Sequence, residues 1–90
     1  MRFTKIVATV GPAVSSPADF KKYATSGVNV ARLNFSHGSH EYHLAEIKQI
    51  QACNASGNVR IAIMLDTKGP EIRTGDVNTP VVITRGDTVL

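Results

Sequence analysis

The chain has 90 residues, 42% of them hydrophobic, and a formal net charge of +3, enough for one small domain and no more. Its basic residues are scattered, with Lys21-Lys22 the only adjacent pair, and its few aromatics are not interleaved with them, which argues against a nucleic-acid partner. No apolar run approaches membrane-spanning length, and the single cysteine, Cys53, excludes an internal disulfide and fits a reducing compartment. The first residues lead into a strand without a signal-peptide core, so the expected location is cytoplasmic.

Residues 5–10 (KIVATV) are a short β-branched run closed by Gly11-Pro12, a strand and a turn. Ser16-Pro17-Ala18-Asp19 reads as a helix start, with Ser16 as cap, Pro17 in the first helical position and Asp19 in the first turn. That helix is expected over 17–26, stopping near Gly27. A second strand follows over 28–33, and Ser39 can cap a helix over 40–54 with Leu44, Ile47 and Ile50 as its apolar stripe and Ala45 and Ala52 beside it. Residues 60–65 (RIAIML) make a third strand. Short strands alternating with helices in the order β-α-β-α-β predict an α/β fold with a parallel sheet. After Lys68 the texture changes: Gly69-Pro70 breaks the strand, and residues 81–84 and 88–90, flanking a turn at Arg85-Gly86-Asp87, read as two strands of a β-rich unit. The sequence stops inside the second of these, so a longer native chain is expected.

Side chains alternate faces along a strand. In the second strand Ala31, Leu33 and Phe35 share an apolar face, and Arg32, Asn34 and Ser36 share the other. In the third, Ile61, Ile63 and Leu65 oppose Ala62, Met64, Asp66 and Lys68. The first ends at Thr9, before Gly11-Pro12. Polar groups therefore gather where parallel strands exit, the edge at which open α/β sheets and β/α barrels bind ligands. Arg can hold a phosphate or carboxylate bidentately, and Asn and Ser oxygens suit a hard cation. The plainer readings are a snorkelling Arg32, an ordinary turn from Asn34 to Gly38, and a capping carboxylate at Asp66. His40 and His43, three apart, are either a solvated helix face or a metal pair.

Two segments, Asn29-Val30-Ala31-Arg32-Leu33-Asn34-Phe35-Ser36-His37-Gly38 and Leu65-Asp66-Thr67-Lys68-Gly69-Pro70-Glu71-Ile72-Arg73-Thr74-Gly75, stand in order behind Thr4-Lys5-Ile6-Val7 and Thr9-Val10-Gly11-Pro12. Together they closely resemble the amino-terminal part of pyruvate kinase. The resemblance covers nearly the whole chain and weakens after Gly75; Val14 stands where the family more often has a small hydroxyl residue.

The resemblance implies a TIM-type (β/α)8 barrel, with residues 1–70 its amino-terminal part and 71–90 the start of a small β-rich lid domain. It implies transfer of a phosphoryl group from phosphoenolpyruvate to ADP, giving pyruvate and ATP in glycolysis, with Mg²⁺ and usually K⁺. Matched by position, Arg32 would hold the transferring phosphoryl group. Asn34, Ser36 and Asp66, with the Thr67 carbonyl, would bind K⁺. Thr9, Pro12, His37 and Arg73 would lie toward the nucleotide, with Asn34 shared, and Lys68 and Glu71 would support. The family's enolate-stabilising lysine and Mg²⁺ carboxylates come from later barrel strands, so the 90-residue chain alone is expected to be inactive. The family is typically a homotetramer; a free piece, with open sheet edges, is expected to self-associate or to belong to a larger chain. Three readings stay open for the isolated polypeptide: a piece of the enzyme, a self-standing phosphate- and cation-binding module, and a structural α/β fragment.

Overall fold

The computed structural model describes residues 3–89. The elements are β1 (Ile6–Thr9), α1 (Pro17–Thr25), β2 (Val28–Asn34), α2 (His40–Ala55) and β3 (Ala62–Asp66), in the expected order. The sheet runs β1-β2-β3 with both pairings parallel. Thr9 sits opposite Arg32, and Asn34 opposite Asp66. The ladder slips between Ile6 and Val7, where the Ile6 N–H turns to the Asn29 side-chain oxygen at 2.9 Å instead. Beyond the strand ends it continues through Val10 N–H to the Arg32 carbonyl and Phe35 N–H to the Asp66 carbonyl, both 2.9 Å.

The helix starts form as the sequence dictates. Ser16 is extended at φ −126°, and its hydroxyl accepts the Asp19 N–H while donating to the Asp19 carboxylate at 2.7 Å. That hydroxyl bond, ahead of weaker contributions from nearby backbone N–H groups and Lys22, holds the Asp19 carboxyl below its ordinary range. Ser39 does the same for α2, accepting the Tyr42 N–H at 3.1 Å.

Both helices lie on one face of the sheet, over a core of Val10, Val14, Phe20, Ala31, Leu33, Ile50, Cys53 and Ile61. Phe35 and Ile63 pack against it as the alternation predicts. Val14 is a core side chain, held by a turn in which its N–H donates to the Gly11 carbonyl. Leu65 shares the face of Ile61 and Ile63 yet is exposed, because no described element covers that end of β3.

Two expectations are corrected. The buried face of α2 is His43, Glu46, Ile50 and Cys53, not a stripe led by Leu44, which is exposed, as are Ala45 and Ala52. The face is turned by one residue because the His43 ring stacks on Phe35, with centroids 4.3 Å apart and planes 16° from parallel, and occupies the place a leucine was expected to take. His43 is therefore not a solvated residue: its ring is buried and its Nε2 lies against the His37 carbonyl; among the described residues no group of three or more His, Cys, Asp or Glu could hold a metal ion. The second correction concerns 81–84 and 88–89, which form no strand and are exposed; Leu90 lies outside the described residues. A two-stranded ribbon with no sheet or helix against it is marginal. Only the turn survives: Asp87 N–H donates to the Thr84 carbonyl at 3.1 Å, and the Asp87 carboxylate accepts the Thr84 N–H and hydroxyl.

One clamp fixes the entry to β3. The Asn54 side chain accepts the Ile61 N–H and donates to the Ile61 carbonyl, both at 2.9 Å, standing in for a strand partner at a buried residue. Asn54→Ala leaves both groups unpaired and is expected to destabilise the protein by about 2 kcal/mol, measured as a lower urea midpoint at unchanged slope.

Candidate active site at the strand exits

The parallel order β1-β2-β3 places three strand ends side by side, and Arg32 ties them together. One guanidinium nitrogen donates to the Thr9 hydroxyl at 2.9 Å, and the other terminal nitrogen pairs with the Asp66 carboxylate. The guanidinium and carboxylate are both partly exposed. They lie on the sheet face opposite the helices, with exposed Val7 and Met64.

Downstream of β2 the chain makes a tight loop. Asn34 Oδ1 accepts the Ser36 N–H at 3.1 Å, and the Asn34 carbonyl accepts the His37 N–H at 3.2 Å, an Asx-type turn. Gly38 follows at φ +77°, and a Cβ there would stand 3.0 Å from Tyr42 Cδ1 and 3.2 Å from His43 Nε2. Only glycine lets the loop close this tightly onto α2.

Two clefts flank this loop. One, of about 340 Å³, is lined by Thr9, Pro12, Asn34 and His37 together with Gly38, Tyr42 and His43. The other, of about 580 Å³, is lined by Ser36, His37, Lys68, Glu71 and Arg73 among others. His37 belongs to both. Of the residues expected toward a nucleotide, Thr9, Pro12, Asn34 and His37 thus share one cleft, while Arg73 stands in its neighbour, 3.8 Å from the Glu71 carboxylate. Of the expected cation ligands, Asn34 and Asp66 are register partners and Ser36 is joined to Asn34. Thr67 is exposed just beyond β3. Arg32, Asp66 and Thr67 line neither cleft.

Tyr42 and His43 were missed as site-lining residues. The signal was available: 43, 46, 50 and 53 fall on one helical face, and the last two are apolar. Burial pushes the Glu46 carboxyl up against the opposing influence of His43, and burial, then the Glu46 charge, raises the Tyr42 phenol.

Three parallel strands that deliver a guanidinium, an amide, a hydroxyl and a carboxylate to one carboxyl-end rim fit an open α/β sheet or a segment of a β/α barrel. The model of the pyruvate kinase barrel domain matches residues 1–90, and this family match selects the barrel. The pyruvate kinase of Chlamydia muridarum is 50% identical over 84 residues, covering 93% of this chain and 18% of that protein. That of Leishmania mexicana is 50% identical over 88 residues, covering 97% and 18%. The crystal structure of Cryptosporidium parvum pyruvate kinase superposes with a TM-score of 0.70 at 40% identity, covering 76% of this chain and 14% of that one. This chain belongs to the pyruvate kinase family. It spans less than a fifth of the length of these relatives.

Proposed function

We propose that this sequence forms the phosphoryl-holding side of an enzyme that transfers a phosphoryl group from phosphoenolpyruvate to ADP, giving pyruvate and ATP in glycolysis. The observation that carries the reading is the Arg32 guanidinium held across three strand ends by Thr9 and Asp66. Phosphoryl transfer asks the protein for positioning and charge compensation more than covalent chemistry. In this reading Arg32 grips the transferring group, and its planar fork fixes two of the phosphoryl oxygens.

Asn34, Ser36, Asp66 and the Thr67 carbonyl would hold K⁺. Their chemistry fits: three neutral oxygens and one carboxylate suit a monovalent cation, whereas Mg²⁺ prefers carboxylates, phosphates and its own waters. When bound, K⁺ supplies a second positive charge beside the phosphate. Thr9, Pro12, Asn34, His37 and Arg73 would line the nucleotide's approach, with Lys68 and Glu71 supporting them. The Mg²⁺ ligands and the enolate-stabilising lysine are assigned to the rest of the enzyme. Residues 1–70 would be the start of the barrel domain and 71–90 the start of its lid, in a cytoplasmic homotetramer with no nucleic-acid or membrane partner. Among the described residues no helix is long and apolar enough to cross a membrane.

The test compares two polypeptides with phosphoenolpyruvate, ADP, K⁺ and Mg²⁺. The complete enzyme carrying this sequence is expected to form ATP, and the 90-residue chain to form none above background. A complete enzyme that leaves ADP unphosphorylated overturns the function; turnover by the short chain overturns the division of labour.

A further inference from the structure

The loop from Ser36 to Gly38 carries groups assigned to both clefts, and its N–H groups at Ser36 and His37 are bonded back to Asn34 at the end of β2. What reaches its far side is His43 of α2. Nε2 of His43 lies 2.6 Å from the His37 carbonyl oxygen. A carbonyl oxygen only accepts, so Nε2 carries the proton and donates it. The ring that donates is itself immobilised: it is 4% exposed, stacked on Phe35, and edge-on to Tyr42 at 5.2 Å. From above, Gly38 closes to where an added Cβ would stand 3.2 Å from the same nitrogen. A buried imidazole in the first turn of α2 is poor core material, and a leucine would fill the space without leaving an enclosed Nδ1 that no described group partners.

We propose that His43 is a positioning residue for the active site: its Nε2–H, tied to the His37 carbonyl, sets the loop so that the His37 side chain faces the nucleotide cleft. The proposal rests on the function proposed above for what that cleft receives, but the tie itself does not. Asn34 fixes the loop's start through Ser36 N–H and His37 N–H, and His43 fixes its end. Without the second anchor the turn is held at one side only, and His37 swings with it.

Two variants of the complete enzyme separate this from simple core filling. His43→Phe keeps the volume and the stack on Phe35 but has no donor. His43→Gln gives up the stack but presents an N–H at about the reach of Nε2. If the tie positions the loop, His43→Phe raises the KM for ADP by about fivefold, the scale of one net hydrogen bond, and leaves the KM for phosphoenolpyruvate near normal. His43→Gln restores the ADP value. Backbone hydrogen exchange, read by mass spectrometry without turnover, follows the same order: exchange at 35–38 speeds up about tenfold in the Phe variant and not in the Gln variant. Should the Phe protein not accumulate, His43→Met makes the same comparison. Exchange unchanged on loss of the donor, or equal effects from Phe and Gln, overturns the proposal. Normal donor-dependent exchange in an enzyme that does not phosphorylate ADP leaves the tie standing and removes the function instead.

Discussion

Replacing Arg32 by lysine in the complete enzyme is expected to lower turnover by about two orders of magnitude or more, on the scale of losing one preset transition-state donor. Charge is conserved in this change; geometry is not. The arginine reaches Thr9 through one nitrogen and Asp66 through another, and a single ammonium cannot hold both and still present a planar pair of donors to a phosphate. On the function proposed above, the KM for phosphoenolpyruvate should rise far less than turnover falls, because the proposed contact would strengthen as charge moves during transfer. Steady-state kinetics on the two proteins decides it: near-normal turnover with only a raised KM would make Arg32 a ground-state binding residue.

Asp66→Asn is expected to damage the enzyme in two ways at once, and comparison with Ser36→Ala separates them. The Asp66 carboxylate is the register partner of Asn34 and also the acceptor for Arg32. Asparagine removes the charge from the proposed K⁺ ligand set and loosens the guanidinium's anchor. Turnover should therefore fall at least about tenfold even at saturating K⁺, the loss expected for breaking a charge-assisted hydrogen bond. Ser36→Ala removes one neutral oxygen and leaves the Arg32 pair intact, so extra K⁺ should restore it. Titrating K⁺ at fixed Mg²⁺, then Mg²⁺ at fixed K⁺, is the measurement. A shifted Mg²⁺ dependence with an unchanged K⁺ response in both variants would remove these oxygens from the potassium site.

The architecture was largely legible in the sequence because its signals are local. Caps at Ser16 and Ser39, Pro17 at a helix start and the short apolar runs read at 5–10, 28–33 and 60–65, where strands form over 6–9, 28–34 and 62–66, each act within a few residues. The polar rim was legible for the same reason: period-two alternation and parallel order together place Thr9, Arg32, Asn34 and Asp66 at one edge. What failed depended on a neighbour. The face of α2 is decided by Phe35, which stacks with His43, and a periodicity argument weighs Leu44 above histidine without knowing that partner. The strands expected at 81–84 and 88–90 have the right composition, but strand formation requires a ladder, and none of the described elements pairs with 81–89. The site's division into two clefts sharing His37 depended on how the loop closes over Gly38, which no spacing encodes.

The bridging of three strands by Arg32 has an entropic consequence for any anion that comes to it. A free arginine side chain samples many rotamers, and freezing them opposes binding by about 2 kcal/mol. Here the chain is already ordered by its hydrogen bonds to Thr9 and Asp66, so most of that loss falls on folding. The guanidinium has five N–H groups in total, and those not engaged by these two neighbours can take up a phosphoryl oxygen without first letting go of either. An incoming anion therefore meets a receptor whose side-chain disorder has been removed in advance, and its affinity reflects new contacts with little deduction for ordering the arginine.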